Sequence, residues 1–134
     1  MIRPSALSVS ALLAVIVLTA CAWGGGGPPD GRWQIREIGE LKVPADVDAH
    51  IEFLPDGRLA DRGGCNRYTG SWARAGHEMR FGQIAATRMA CMGAGMVIEA
   101  RLFELLDKVV RQDRPDDRTL YLVTGDGRRI TATR

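Results

Sequence analysis

Hydrophobic and polar residues alternate along most of the chain after Gly31, and this alternation predicts short β-strands. The predicted strands cover residues 32–36, 50–53, 58–60, 67–72, 78–81, 84–89, 120–123 and 129–133. Turn signals lie between them, such as Pro55-Asp56-Gly57 and residues 124–128, and Gly82 is expected to begin another turn. The pattern therefore favours a mostly β domain.

One segment departs from this alternation and predicts an amphipathic helix over residues 96–111. Its apolar face consists of Ile98, Leu102, Leu105 and Val109, widened by Phe103, Leu106 and Val110. The polar face offers two oppositely charged pairs at a spacing of four residues, Glu104 with Lys108 and Asp107 with Arg111. Because this face mixes acids and bases, packing on the sheet is favoured over lying on a membrane. The charged run at 111–118 is interpreted as a solvated loop.

Glu99 lies inside the apolar arc of this predicted helix, where an unpaired carboxylate is costly. Its place in the first turn suits the helix dipole. We also expect Glu99 to pair with Arg88 from the preceding strand. A catalytic carboxylate is a third interpretation, but general acid or base catalysis needs a partner group, and none is evident in the sequence.

The composition limits the class of protein. A length of 134 residues with 46% hydrophobic and 25% charged positions fits one globular domain. The formal net charge is only +2, and no basic cluster is interleaved with aromatic residues, which argues against a nucleic-acid partner. No coiled-coil repeat or long exposed apolar run indicates an oligomer, and a monomer is our expectation.

Residues 1–20 have the layout of a secretory signal peptide, with Arg3 ahead of an apolar stretch at 6–20. This stretch is shorter than the roughly 20 residues that a mature membrane-spanning helix needs. The sequence Leu18-Thr19-Ala20-Cys21 resembles the lipobox of bacterial lipoproteins. The resemblance implies cleavage before Cys21 and attachment of lipid to that cysteine. An ordinary cleavage site followed by an unlipidated Cys21 is the alternative.

The residues after Cys21 predict where the protein is anchored. Ala22 stands where the lipoprotein family has Asp for inner-membrane retention, so the resemblance implies the outer membrane, facing the periplasm, in a two-membrane bacterium. Residues 21–30 are rich in Gly and Pro and are interpreted as a lipid-anchored linker. The folded domain is then expected over residues 31–134.

Two further cysteines, Cys65 and Cys91, remain in an exported domain. An even number of cysteines in an oxidising compartment favours a disulfide. A nucleophilic Cys65 is an alternative, which would require activation by His50 or His77. Both histidines are interpreted as surface residues.

Methionines close to Cys91 offer a different chemistry. Met89, Met92 and Met96, together with a thiolate, would form the soft ligand set that selects Cu(I). Methionines also fill hydrophobic cores, and a bridged Cys91 has no thiolate to donate. The sequence has no zinc-ligand spacing, no phosphate-binding loop and no serine elbow, so we expect neither a cofactor nor an enzyme.

Two motifs in order, GCNRYTGSW at 64–72 and MRFGQIAATRMAC at 79–91, followed by a helix that begins near a glutamate, resemble the META domain family. Its bacterial members include the HslJ-type heat-shock lipoproteins. The resemblance implies an α+β fold, with a strongly curved, barrel-like antiparallel sheet of about seven or eight short strands and one packed helix. It also implies an envelope or stress role without established catalysis, here through an unidentified envelope protein partner.

The motif residues are expected to be structural. They are Gly64, Asn66, Tyr68, Gly70, Thr87, Arg88 and Glu99. The glycines permit backbone conformations that a Cβ would obstruct, and Asn66 can hydrogen-bond within its own turn. A ligand-contacting cleft around Asn66, Tyr68 and Arg88 is the alternative.

Overall fold

Nine β-strands and one α-helix make up residues 27–134, the part of the chain that the computed structural model describes. They are β1 Gly31–Ile38, β2 Leu41–Lys42, β3 His50–Phe53, β4 Arg58–Arg62, β5 Arg67–Ala75, β6 Glu78–Ala86, α1 Gly95–Leu106, β7 Val109–Asp116, β8 Thr119–Thr124 and β9 Arg129–Thr133. The predicted signal peptide, Cys21 and residues 21–26 of the predicted linker lie outside the described residues.

The strands form a closed antiparallel barrel. Eight of them follow the order β1-β3-β4-β5-β6-β7-β8-β9, and β1 pairs again with β9 to close the circle. Ile35 lies opposite Ala132 and Ile38 opposite Ile130 at this closure. The short β2 folds back on β1. The expected α+β fold, a barrel-like antiparallel sheet with one helix, is confirmed.

The alternation in the sequence places one face of each strand in the barrel interior. Buried side chains there include Trp33, Ile51, Phe53, Leu59 and Leu122. The apolar face of α1 joins the same core and contacts β1, β8 and β9. Within residues 27–134, no helix is both long and apolar enough to cross a bilayer.

The helix is shorter than predicted, because it ends at Leu106. Residues 109–116 form β7 instead and pair with β8, so the run at 111–118 is not a solvated loop. The β-branched Val109 and Val110 favour a strand. Two register shifts in β7 disturb its alternation, which is why the sequence pattern did not reveal it.

A bulge in β6 also differs from the prediction. Gly82 lies within the strand and does not begin a turn, and β6 ends at Ala86. Gln83 and Ile84 together stand opposite Gly70 of β5, and Gln83 has a φ of 53°. A Cβ on Gly70 would lie 2.6 Å from the Cδ1 atom of Ile84. The glycine therefore provides the space into which the bulged strand folds.

Although the strands form a closed circle, β6 and β7 are paired over only a short stretch of the barrel wall. β6 pairs with β5 along its length but pairs with β7 only at Glu78 and Arg111. Over residues 80–86 no strand among residues 27–134 pairs with the outer edge of β6.

The last residues of the predicted linker are bound to the barrel. The indole of Trp33 donates a hydrogen bond of 2.6 Å to the carbonyl oxygen of Pro29. Arg134 donates to the carbonyl oxygen of Asp30, and its guanidinium lies 4.3 Å from the centre of the Trp33 ring. Residues 29 and 30 therefore belong with the folded domain.

The first residue of α1 lies against the turn that precedes β5. A Cβ on Gly95 would lie 2.6 Å from the carbonyl oxygen of Gly64, and one on Gly64 would lie 2.9 Å from the carbonyl oxygen of Gly95. Gly64 also has a φ of 113°, which side chains rarely adopt. The helix and the turn can approach this closely only because both residues are glycines.

We predict that Gly95→Ala lowers the free energy of unfolding by about 1–3 kcal/mol, because the added methyl group meets backbone atoms. Helix propensity alone predicts the opposite sign, a gain of up to about 1 kcal/mol. Urea unfolding followed by circular dichroism measures the change. Gly125→Ala is the matched control, since the nearest atom to its Cβ is 3.8 Å away. A more stable Gly95→Ala protein would contradict the close contact.

Candidate functional site

A buried asparagine and a buried glutamate form the centre of the site. The backbone N–H of Asn66 donates a hydrogen bond of 2.6 Å to Oε1 of Glu99, and its side-chain amide donates one of 2.7 Å to Oε2. Asn66 is 3% exposed and Glu99 is 7% exposed. Both carboxylate oxygens thus have a donor from the same residue, which removes the cost of burying the charge unpaired.

The expectation that Glu99 pairs with Arg88 is wrong. Among residues 27–134 no ion pair joins them, and the carboxylate of Glu99 accepts hydrogen bonds from Asn66 instead. The Arg88 side chain is exposed. The partner of Glu99 lies 33 positions earlier in the chain, at a distance that helical periodicity does not reveal.

The other end of the Asn66 side chain holds the segment after β6. Its Oδ1 accepts hydrogen bonds from the backbone N–H of Met89, at 2.6 Å, and from the Thr87 hydroxyl, at 3.0 Å. The Thr87 hydroxyl in turn accepts from the backbone N–H of Arg67. Asn66 therefore joins the start of β5, residues 87–89 and α1 through one side chain.

A disulfide fixes the same segment from the next residue. Cys65 and Cys91 are bonded, with their Cα atoms 5.9 Å apart, as the cysteine count predicted. Since both sulfurs are in the bridge, neither is a thiolate that could attack a substrate or bind copper.

Tyr68 is a core residue and does not share a cleft with Asn66 and Arg88. It is 1% exposed, its hydroxyl donates to the carbonyl oxygen of His50 at 2.6 Å, and its ring packs edge-on against Phe103 at 5.4 Å. Of the three residues expected in a ligand cleft, the structure brings Asn66 and Arg88 to one surface and places Tyr68 behind it.

That surface is a groove of about 710 Å³, which we call the β6–α1 groove. One wall consists of β6 and the segment after it, between residues 82 and 90. The other wall is one face of the helix and its C-cap, formed by Met96, Glu99, Phe103 and Asp107. Asn66 also lines the groove and links the two walls, since it bonds Glu99 on the helix and Thr87 and Met89 on the other wall.

Large apolar side chains are exposed around the groove. Met89 and Met96 line it, whereas Met92 is 98% exposed and does not. Val97, which follows Met96 in the first turn of the helix and does not line the groove, is 62% exposed. The structure thus brings together two of the three methionines proposed as copper ligands. Sequence analysis missed this exposed surface, although the apolar residues among glycines at 92–97 were a signal for it.

The charged side chains of the helix are concentrated on another face. Glu104 accepts hydrogen bonds from Arg128 at 3.1 Å and from Lys108 at 3.3 Å, and these cations hold the pKa of Glu104 below its usual value. The other predicted pair, Asp107 with Arg111, does not form, because Arg111 lies in β7 and pairs with Asp113. These exposed ion pairs add little to stability.

A family model for the META domain matches residues 29–134. The chain belongs to the META domain family. The match begins at Pro29, the residue whose carbonyl oxygen accepts from Trp33, so the start of the META domain agrees with the start of the ordered contacts. No curated protein matches the chain significantly.

Solved structures share the META domain fold at low sequence identity. A protein from Burkholderia xenovorans, solved by NMR, is 22% identical, with a TM-score of 0.67, and the match covers 100% of this chain and 97% of that one. Another NMR structure is 20% identical, with a TM-score of 0.64, over 78% of this chain and 89% of that one. A DUF4847 family protein from Bacteroides vulgatus is 15% identical, with a TM-score of 0.56, over 78% of this chain and 92% of that one. At identities this low, the three matches support a shared fold and nothing about function.

We predict that replacing both Cys65 and Cys91 with Ser lowers the unfolding free energy of the META domain by roughly 3 kcal/mol, because the bridge closes a long loop in the unfolded chain. Chemical denaturation with and without dithiothreitol measures the change. The double variant should not respond to dithiothreitol. Equal stability of the oxidised and reduced wild-type proteins would contradict a structural bridge.

We predict that Glu99→Gln destabilises the META domain by about 1–3 kcal/mol, since the glutamine amide has one acceptor where the carboxylate has two and turns a donor toward those of Asn66. Glu104→Gln on the outer face is the matched control and should cost at most about 1 kcal/mol. Thermal unfolding of the three proteins compares them. Equal losses at the two positions would contradict the proposed role of Glu99.

Proposed function

We propose that this chain is a lipid-anchored, non-catalytic protein of the bacterial cell envelope, which takes part in the stress response through contacts with other proteins. The observation that carries the proposal is the exposed apolar surface around the β6–α1 groove. Met89 and Met96 expose large apolar side chains in the groove, and Val97 exposes another next to Met96 on the helix. Exposed apolar side chains that cluster in this way are typical of interaction sites.

The state of the buried polar groups supports a non-catalytic role. The carboxylate of Glu99 and the side-chain oxygen of Asn66 each accept two hydrogen bonds from the protein itself. A general acid or base needs a proton-transfer partner within reach of a substrate. The hydrogen bonds of these two residues instead hold the helix and the segment after β6 in place.

The lipobox resemblance at residues 18–21 supports membrane attachment. Five residues, 22–26, separate the proposed lipid attachment site at Cys21 from Gly27, and four of the seven residues from 21 to 27 are glycines. Such a linker spans at most about 20 Å when fully extended. A domain on this linker would work close to the membrane surface, facing the periplasm if the bacterium has two membranes.

A small-ligand module is the second candidate, and the volume of the groove is the observation that favours it. About 710 Å³ lies within the usual range for ligand pockets. Copper binding has less support, because Met92 lies outside the groove and Cys91 is bridged. Native mass spectrometry of the purified full-length protein distinguishes the candidates, since a copurified small molecule would favour the second.

We predict that a photocrosslinking residue at Val97 of the full-length protein captures an envelope protein in cells, with a higher yield after heat shock. Lys42, which is exposed on β2, is the matched control position and should capture less. Replacing both Met89 and Met96 with Ser should reduce the yield at Val97, because it removes the apolar surface.

The same cells test the anchor. Cys21→Ser should move the protein from the membrane fraction to the soluble periplasmic fraction, because it removes the lipid attachment site. Retention of the variant in the membrane fraction would contradict lipid anchoring. Equal crosslinking at Val97 and Lys42 would contradict a partner at the apolar surface.

A further inference from the structure

The outer edge of β6 is an unpaired strand edge inside the barrel wall. β5 covers the other edge from Glu78 to Ala86, and the hydrogen bond from the N–H of Thr87 to the carbonyl oxygen of Arg67 extends that pairing. On the β7 side, pairing within residues 27–134 stops at Glu78. An unpaired edge presents alternate N–H and C=O groups that can accept another strand.

The helix does not fill the space beside this edge. Three contacts in succession join α1 to residues 64–68: Gly95 lies against Gly64, Glu99 bonds Asn66, and Phe103 packs on Tyr68. The helix therefore runs in the same direction as the start of β5. Because β5 and β6 are antiparallel, the helix runs antiparallel to β6. The β6–α1 groove lies between the two and thus combines a strand edge with a helix face.

We propose that the β6–α1 groove binds an extended polypeptide segment, which adds to the edge of β6 as an antiparallel strand. A strand edge beside a helix supplies backbone hydrogen bonds on one side and side-chain contacts on the other, as in other cases of strand addition. The inference rests on the proposed protein-contact function and names the chemistry of the partner.

The charges at the two ends of the groove predict the pattern of the segment. Arg88 is exposed at the end near Glu99, and it has no side-chain partner among residues 27–134. Asp107 lines the other end, eight residues beyond Glu99, or about 12 Å along the helix axis. A strand covers that distance in about four residues. An antiparallel segment with an acidic residue four positions before a basic residue would match both charges.

The middle of the groove favours an apolar side chain. Met96 and Phe103 line the helix wall, and Ile84 lines the strand wall. Residues two apart on a strand face the same side, so an apolar residue midway between the two charges would meet these walls. Methionine adapts its shape to different partners. It therefore suits a site that recognises the backbone and the charges of a segment more than one particular apolar side chain.

The test uses a fluorescein-labelled peptide, Ser-Glu-Thr-Ile-Thr-Lys-Ser, and the full-length protein in detergent micelles. Fluorescence anisotropy gives the affinity, and amide chemical shifts locate the peptide. We expect saturable binding with shifts concentrated at residues 82–90. A peptide with Glu and Lys exchanged should bind about tenfold more weakly, because each charge then meets its like. Arg88→Glu should reduce or reverse that preference, whereas Arg80→Glu, exposed outside the groove, should preserve it.

Two N-methylated peptides separate strand addition from simple charge attraction. One carries methyl groups on the amide nitrogens of both Thr residues, and the other on those of Glu, Ile and Lys. Since alternate N–H groups of a strand point to the same side, only one of the two should lose binding, by about tenfold or more. Equal affinity of both for the protein, or no binding of the unmodified peptide at about 1 mM, would overturn the proposal.

The outcomes also separate this inference from the proposed function. A partner crosslinked at Val97 in cells, together with no peptide binding, would overturn strand addition and leave a role in protein contacts intact. Peptide binding with the expected N-methyl pattern, but no crosslinked partner, would support strand addition and contradict the proposed stress-related contact.

Discussion

The hydrogen bonds between Asn66 and Glu99 determine how the helix lies on the barrel. Asn66 donates from both its backbone and its side chain to the carboxylate, and it accepts from residues 87 and 89 through its side-chain oxygen. Hydrogen bonds to a charged group contribute about 1.5–3 kcal/mol, and the low dielectric around buried groups raises the cost of leaving them unmade. One residue therefore couples three segments that are distant in sequence.

This coupling explains why a groove exists beside the helix. The disulfide and Asn66 hold residues 87–91 against the start of β5, while Gly64 and Gly95 let the helix approach the same turn. The bulge at Gln83 bends β6, and its pairing with β7 ends at Glu78. The result is a strand edge and a helix face held apart by buried hydrogen bonds. A better-packed helix would close the space that the proposed partner segment occupies.

Much of the fold follows from local sequence patterns. Alternation located most strands, since each has one buried face, and the cysteine count gave the Cys65–Cys91 bridge. The predicted end of the helix was wrong, because Val109 continues the helical spacing of apolar residues. In the structure Val109 belongs to β7, and it is buried as part of that strand. Local patterns cannot distinguish these two structures, since only pairing with β8 makes residues 109–116 a strand.

The site was harder to predict than the fold. The sequence marked Glu99 as anomalous, because a carboxylate in an apolar arc needs a partner, but it gave Arg88 as that partner in place of Asn66. The choice depends on how the helix docks, which is a long-range property. The unpaired edge of β6 is likewise a long-range property, since it depends on where the pairing with β7 stops.

A double-mutant cycle between Asn66 and Glu99 tests the central claim most directly. It compares the unfolding free energies of the wild-type protein, Asn66→Ala, Glu99→Ala and the double variant. If the two residues act as one unit, the losses are non-additive, with a coupling energy of about 1.5–3 kcal/mol. Losses that add within about 0.5 kcal/mol would show that the two side chains act independently, and would contradict the account.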